Sequence, residues 1–497
     1  DPDSVIEAAY NAIKIASEKI DMSKHKGEHP RFGATDVCPL IPVSNISFKE
    51  LIPYAEKLAK RVSETLNIPI YLYEYAAKEE KRKNLANVRS GEYEGLKEKV
   101  SKKEWKPDFG ITFNKKSGAT AIGVRDFLIA YNINLNTKST RLANAIAFDV
   151  REKGRIKRKG HPIIGDIVYD KNGNPEKIPG SLKHVKAIGW YIDEFGIAQI
   201  SMNLTNITET PIHTVFDEVS KKAEIRGARV TGSELVGLIP LKSMLDAGKY
   251  FLKKQNRSIG IPESDIIKVA IESLGLNQVK DFDTETNIIE YYLDKISTKS
   301  KKLIDFSARE LSDEVLRESP APGGGSVSSY IGSLGASLSG MVANLSCNTR
   351  GWEDKVDIFS NIAFKINKIR EKLLCLVDED AKAFNDIMNS FKLPKNNNKE
   401  KKVRDEAINN STLHAAKVPL KVMKESFLIY AHIKKLVDHG NQNSISDSGV
   451  ACLCVYACIH GAYLNVRINL KDIQNDNGIM KEAIGILKKS AIEKEKI

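Results

Sequence analysis

The densest gathering of groups able to move protons lies between Asp21 and Val43, in the stretch DMSKHKGEHPRFGATDVCPLIPV. His25, Glu28 and His29 fit the H-x-x-E-H order of an inverted zinc-peptidase motif, which needs both imidazoles on one face of a continuous helix. Gly27 weakens such a helix from inside, and Pro30 biases His29 away from the α region, so the local sequence opposes a metal site. The alternative is a loop that fixes one imidazole. Pro30 stiffens the backbone beside His29, Glu28 and Arg31 set its charge state, and Gly33 permits a tight turn. An imidazole held in this way can act as general acid or base, whereas the bland reading is a surface histidine in a charged turn.

A second acid–base candidate sits in LVDEDAKAF, residues 376–384. Leu376, Asp380 and Phe384 share one helix face, and an aspartate on an apolar stripe costs free energy unless it is paired or functional. A tandem acidic run is more often a solvated face, and that reading covers Asp378 and Glu379 better than Asp380. Upstream, Gly323, Gly324, Gly325 and Ser326 follow two prolines and lead straight into a helical pattern, a shaped turn whose free amides can receive an anion. Cys452, Cys454, Cys458 and His460 invite a metal reading, but residues two apart point about 200° away from each other on a helix, which favours core packing.

Glycines also bracket a short polar insert at Gly110, Ile111, Thr112, Phe113, Asn114, Lys115, Lys116, Ser117 and Gly118. It is not a phosphate-binding Walker loop, because Lys116 precedes the second glycine instead of following it. A loop lining an anion or pterin pocket and an ordinary hairpin are both compatible with this pattern.

These stretches, with PDFG, SGATAIGVRDFLIAYNINL, AIGWYIDE, GSELVGLIPLKSMLDA, SPAPGGGSV and LNVRINLKDI, resemble in order the formiminotransferase-cyclodeaminase family over essentially the whole chain. The resemblance implies a folate enzyme of histidine breakdown, cytoplasmic, with formiminoglutamate and tetrahydrofolate polyglutamate as substrates and no tightly bound cofactor or metal. It implies His29 as the catalytic group of formimino transfer and Asp380 as the acid–base group of cyclodeamination. It further implies Gly110 to Gly118 as folate-lining, and a pocket in the second half that includes Gly323 to Ser326, Asp447 and Asn465. Ile111 and Thr112 stand where a proline-containing insert is more usual, and the loop is shorter than in mammalian relatives. Members form ring-like octamers with dimer contacts in both halves, so a homo-oligomer is expected. Relatives carry about one βαβ unit more sequence upstream, and the chain, which opens Asp1-Pro2, reads as N-terminally truncated.

The elements that must position these groups are legible from periodicity. Asp1 and Pro2 open an amphipathic helix carrying Ile6 and Ile13, and Ser47 with Glu50 forms a capping box before a second one. Strands are expected at 68–73 and 127–135, and alternation of strand and helix argues an α/β layer. The basic segment 151–179 is expected as a loop or hairpin, and 294–302 as a linker. Beyond it strand patterns stop, and helices are expected at 308–318, 326–350, 353–390, 402–439, 445–470 and 477–495. The fold expected is therefore multidomain. A sheet-and-helix transferase half comprises subdomains 1–126 and 127–293, and an all-α helical bundle comprises 303–497.

Bulk composition limits the alternatives. A chain of 497 residues is too long for a single core. Six irregularly spaced cysteines suit a reducing compartment, and the apolar run Val450 to Leu464 is short of a membrane span. The net charge of +12 points to an anionic partner, but aromatics are few near the basic clusters, which gives nucleic acid weak support. Three other readings compete: a cyclodeaminase alone, a non-catalytic assembly protein, or a basic polyanion binder.

Overall fold

A computed structural model describes residues 1–26, 31–43, 45–160, 164–296, 301–471, 473, 476 and 478–497. They divide into two compact units. The first comprises Asp1–Ala130, Arg151–Lys186 and Met202–Thr210, and the second Tyr131–Val150, Ala187–Ser201 and Pro211–Ile497. This division differs from a cut at residue 126, since two later segments fold with the first unit.

The first unit opens with α1 (Pro2–Lys19), whose N-cap Asp1 accepts the Ser4 amide at 3.0 Å and whose Ile6 and Ile13 are buried. After β1 (Val37–Leu40) comes α2 (Phe48–Leu66), started by the expected box: the Ser47 amide donates to Glu50 at 2.8 Å, and the Glu50 amide donates to the Ser47 hydroxyl at 3.3 Å. Then follow β2 (Ile70–Glu74), α3 (Leu85–Val88), α4 (Glu92–Ser101) and β3 (Thr120–Val124). The three strands are parallel in the order β1-β3-β2, with Val37 opposite Ala121 and Ile70 opposite Thr120. Both faces of this sheet are covered. Ile70 and Leu72 pack with Ile13, Leu58 and Val62, while Tyr71 and Tyr73 pack with Val88 and Leu96. A strand buried on both faces reads as an unbroken apolar run, which hides its two-sidedness. Residues 80–82 form a 3₁₀ turn. Arg82 is buried there against Asp108, 2.7 Å away.

The chain continues through β4 (Ile129–Leu135), α5 (Thr140–Val150), the short antiparallel pair β5 (Arg155–Ile156) and β6 (Lys177–Ile178), then β7 (Val185–Ile192), β8 (Ile197–Leu204), α6 (Ile212–Ile225) and β9 (Val230–Val236). The second sheet has the order β7-β8-β4-β9. In the second unit α7 (Leu241–Lys254) pairs with α8 (Glu263–Leu274), and α9 (Thr284–Asn287) and α10 (Ile289–Ile296) lead to the helical half. That half comprises α11 (Ala308–Leu316), α12 (Gly324–Cys347), α13 (Val356–Phe391), α14 (Asn398–Phe427), α15 (Ile429–His439), α16 (Ile445–Asn469) and α17 (Ile479–Glu495). The helix expected over 402–439 is two, divided at Leu428, where the amide turns back to Glu425 in a tighter 3₁₀ contact.

Small residues on α12 let its neighbours approach. Gly332 lies against Cys458, and Ser329 donates to the Leu373 carbonyl at 2.7 Å. Among the described residues, Gln442–Asn469 is long and apolar enough to cross a membrane by length and composition. One face of it packs on α12, α14, α15 and α17, burying Cys452, Val455, Cys458 and Ile459, while Val450, Leu453, Leu464 and Ile468 on the remainder are exposed.

Candidate functional site

Glu28 and His29 lie outside the described residues, but both flanks of their loop are fixed. The Met22 amide donates to the Lys116 carbonyl at 2.8 Å. On the other side Arg31 reaches Glu92 at 3.2 Å and Glu94 at 2.8 Å, and its guanidinium pulls the Glu94 carboxyl down to about 2. The Phe32 amide donates to Asp36 at 2.9 Å, and Asp36 is ion-paired with Arg89. Arg31 and Asp36 are thus already paired, with Glu92 and Glu94 and with Arg89.

The glycine-bracketed loop packs onto the same frame. Gly33 bridges Gly118, the Ala34 amide donates to the Ser117 carbonyl at 2.8 Å, and the Tyr93 hydroxyl donates to the Lys115 carbonyl at 2.6 Å. Asn114 closes the turn by accepting the Lys116 and Ser117 amides, while Gly118 takes a φ of +68° with the Phe32 carbonyl where a Cβ would stand. Ile111 is 71% exposed at the tip. Gly110 to Gly118 and the flanks of the histidine loop therefore form one structure at the amino end of β3.

In the helical half five expected residues converge: Asp380, Gly324, Gly325, Ser326 and Asn465. Asp380 on α13 is half-buried beside the amino terminus of α12. The Ser326 hydroxyl lies 3.1 Å from its Oδ2 and 2.9 Å from the Val377 carbonyl. A Cβ on Gly325 would stand 2.2 Å from Asp380 Oδ1, so only glycine lets the carboxylate come this close. Asn465 on α16 lies against Gly324, its amide donating to the Gly461 carbonyl at 2.9 Å. The anion expected at this helix start is thus the protein's own carboxylate. Two effects oppose each other at Asp380: burial raises its pKa, and the Ser326 hydroxyl and amide lower it. Burial wins, leaving the pKa above the usual aspartate value.

Gly323 caps α12 from outside this contact. Asp447 does not join it: it lies 18 residues before Asn465 on α16, about 27 Å along the axis. On a different face of α13 from the Asp380–Ser326 contact, Glu379, Lys382 and Asp386 line, with Asn410, Ser411 and His414 of α14, a groove of about 620 Å³ that Asp380 itself does not line. That groove was not singled out from sequence. Its signal is a polar face at helical spacing on both helices. Cys452 and Cys458 lie in the bundle core, and among the described residues no cluster of His, Cys, Asp and Glu is arranged to hold a metal.

A second polar set missed by sequence reading lies in the sheet of the second unit. Gln199 donates to Asn134 at 2.8 Å and to Glu234 at 3.2 Å, Asn132 donates to Glu234 at 3.0 Å, and Trp190 donates to Gln199 at 3.1 Å. Asn132 and Asn134 at alternate positions of an apolar strand were the available signal.

Comparison with known proteins finds matches along both halves of the chain. Family profiles described as "Formiminotransferase domain, N-terminal subdomain", "Formiminotransferase domain" and "Formiminotransferase-cyclodeaminase" match residues 1–125, 130–294 and 307–484. The formimidoyltransferase-cyclodeaminase of Gallus gallus is 41% identical over 476 residues, 96% of this chain and 84% of that protein. Its counterpart in Dictyostelium discoideum is 40% identical over 501 residues, covering 100% and 88%. The glutamate formimidoyltransferase of Streptococcus pyogenes serotype M1 is 36% identical over 294 residues, 59% of this chain and 82% of that protein. With matches over both halves at this identity, the chain belongs to the formiminotransferase-cyclodeaminase family.

Proposed function

We infer that the chain is a bifunctional folate enzyme. It transfers the formimino group of formiminoglutamate to tetrahydrofolate and then cyclises the product to methenyltetrahydrofolate with release of ammonia. The observation that carries this reading is the match to named bifunctional relatives across both halves at once. Transfer belongs to the sheet-and-helix subdomains at 1–126 and 127–293, and ring closure to 303–497. A cytoplasmic homo-oligomer is the working state.

In the first step N5 of tetrahydrofolate attacks the formimino carbon, and the bond from that carbon to the glutamate nitrogen breaks. The N5 proton must reach the departing amine. His29 is the proposed carrier, because an imidazole titrates near neutrality and can take the proton and return it. Support comes from the fixed flanks Met22 and Arg31 and from the adjoining loop Gly110–Gly118, which is the proposed folate lining.

In the second step N10 attacks the same carbon and the bond to the terminal nitrogen breaks, so ammonia leaves and the methenyl bridge remains. Asp380 is the proposed proton carrier, taking the N10 proton as a carboxylate and giving it to the leaving nitrogen. Its raised pKa suits both duties, because a stronger base is also a donor closer to neutral pH. Gly323 to Ser326 and Asn465 complete the cradle, and the α13–α14 groove is of a size to admit a pterin.

The test is appearance of methenyltetrahydrofolate, followed spectroscopically from formiminoglutamate plus tetrahydrofolate, and separately from 5-formiminotetrahydrofolate. Formation in both assays is expected. Activity only from the second substrate would leave a cyclodeaminase alone, and no activity from either would remove the reading.

A further inference from the structure

The buried Lys99 plays no part in the chemistry above. It lies on α4, 6% exposed, and its ammonium is enclosed by four oxygens. These are the carbonyls of Asn87 at 3.0 Å, Val88 at 2.7 Å and Ser90 at 2.9 Å, with the Ser90 hydroxyl at 2.9 Å. The Trp105 ring covers it, with the centroid 4.1 Å away. Among the described residues no carboxylate pairs with it. Burial, with added repulsion from Arg82 and Lys102, depresses its pKa to about 8. A charge placed among neutral oxygens at that cost is a poor stability device.

What the ammonium gathers is the end of α3 and the turn into α4, and the residues there hold Arg31, Asp36 and the Lys115 loop. Arg89 pairs with Asp36, Glu92 and Glu94 hold Arg31, the Tyr93 amide donates to the Arg31 carbonyl at 2.9 Å, and the Tyr93 hydroxyl reaches Lys115. Every one of these contacts leaves from residues 89–94, which run from the carbonyls that Lys99 holds into the first turn of the helix that carries Lys99.

We propose that Lys99 is a positioning residue of the transferase half: its ammonium, caged by the Asn87, Val88 and Ser90 carbonyls, fixes residues 89–94, which clamp Arg31 and the Lys115 loop. The role rests on the transferase reading above. The cage also sets the shape of the cation. Ser90 commits its hydroxyl proton to the Asn87 carbonyl at 2.7 Å, so all four oxygens present lone pairs inward. The three N–H donors of a tetrahedral ammonium serve these four oxygens with one hydrogen shared between two of them. A planar guanidinium does not fit them.

The test uses the full chain, with ring closure as internal control. Lys99→Met keeps the stem and removes the charge. It is expected to lower transferase kcat/KM by about a hundredfold, the scale of an ångström-sized misplacement. Cyclodeaminase activity on 5-formiminotetrahydrofolate should stay within about twofold. Amide hydrogen exchange at Ala34, Tyr93 and Ala119 should quicken, and Lys99→Arg should not restore the rate. In Lys99→Ala, added n-propylammonium should return part of the transferase activity, while a bulky tetraalkylammonium should not. An unchanged transferase rate in Lys99→Met, or an equal fall of both activities, overturns the proposal. If the parent chain lacks transferase activity the functional reading fails instead, and amide exchange at the three positions still decides whether the clamp exists.

Discussion

Asp380 shows how one side chain's surroundings fix its duty. Its folded pKa is raised, so the folded chain binds that proton more tightly than the unfolded one. Stability from this group is therefore present below the unfolded aspartate value and lost as pH rises through the raised value. At neutral pH the ionised carboxylate is a burden to the fold. Asp380→Asn should accordingly lower ring closure by about 10²- to 10⁴-fold, the usual worth of a positioned acid–base group, without lowering the thermal midpoint at pH 7. A large drop in midpoint measured by calorimetry would mark the carboxylate as structural. Ser326→Ala removes a contact that holds the pKa down, so the acid limb of the cyclodeaminase pH profile should shift to higher pH. A limb that stays in place would detach Ser326 from the chemistry. Sequence alone could single out Asp380, because an acid on an apolar stripe is anomalous. It could not reveal that Gly325 is glycine for the sake of that acid, since the contact joins residues 55 positions apart.

Elements were legible where local chemistry decides them and illegible where packing does. The box of Ser47 and Glu50 marked the start of α2 to the residue, because its hydrogen bonds lie within one turn. The two-sided burial of β2 was hidden, since an apolar run has no polar phase to show which faces are covered. The break at Leu428 was hidden too, because hydrophobic periodicity continues across a single tightened turn. The glycine turn before α12 was expected as a helix start able to receive an anion, and the group that stands against it is the Asp380 carboxylate from α13. That contact makes the distance between the two helices the quantity that matters. Gly325→Ala would press a methyl into the carboxylate, and relief requires α12 and α13 to separate or Asp380 to rotate. Ring closure should fall by about tenfold or more with helix content by circular dichroism unchanged. Wild-type rates in this variant would show that the close approach is incidental to catalysis.

At the scale of the molecule the prediction concerns charge, which sequence reports faithfully but without address. The total is +12 with a pI near 9.1, and many lysines are already paired, such as Lys372 with Glu425 at 2.9 Å and Lys57 with Asp3 at 2.8 Å. Exposed pairs of this kind contribute little to stability, so the excess acts chiefly as a long-range field. Each γ-glutamyl residue adds a carboxylate to a folate, and its attraction to a basic protein is screened over about 10 Å at 0.1 M salt. KM for a pentaglutamyl tetrahydrofolate should therefore rise more steeply with ionic strength than KM for the monoglutamate, with kcat nearly unchanged for both. The monoglutamate serves as the control because it carries the same pterin and the same reacting nitrogens. Parallel salt responses would mean that the net charge serves solubility and not substrate capture. Pairing the assay with His29→Ala and Asp380→Asn assigns the field to a reaction: each variant should lose one activity and keep the salt response of the other. Loss of both activities from either change would contradict two separate proton carriers.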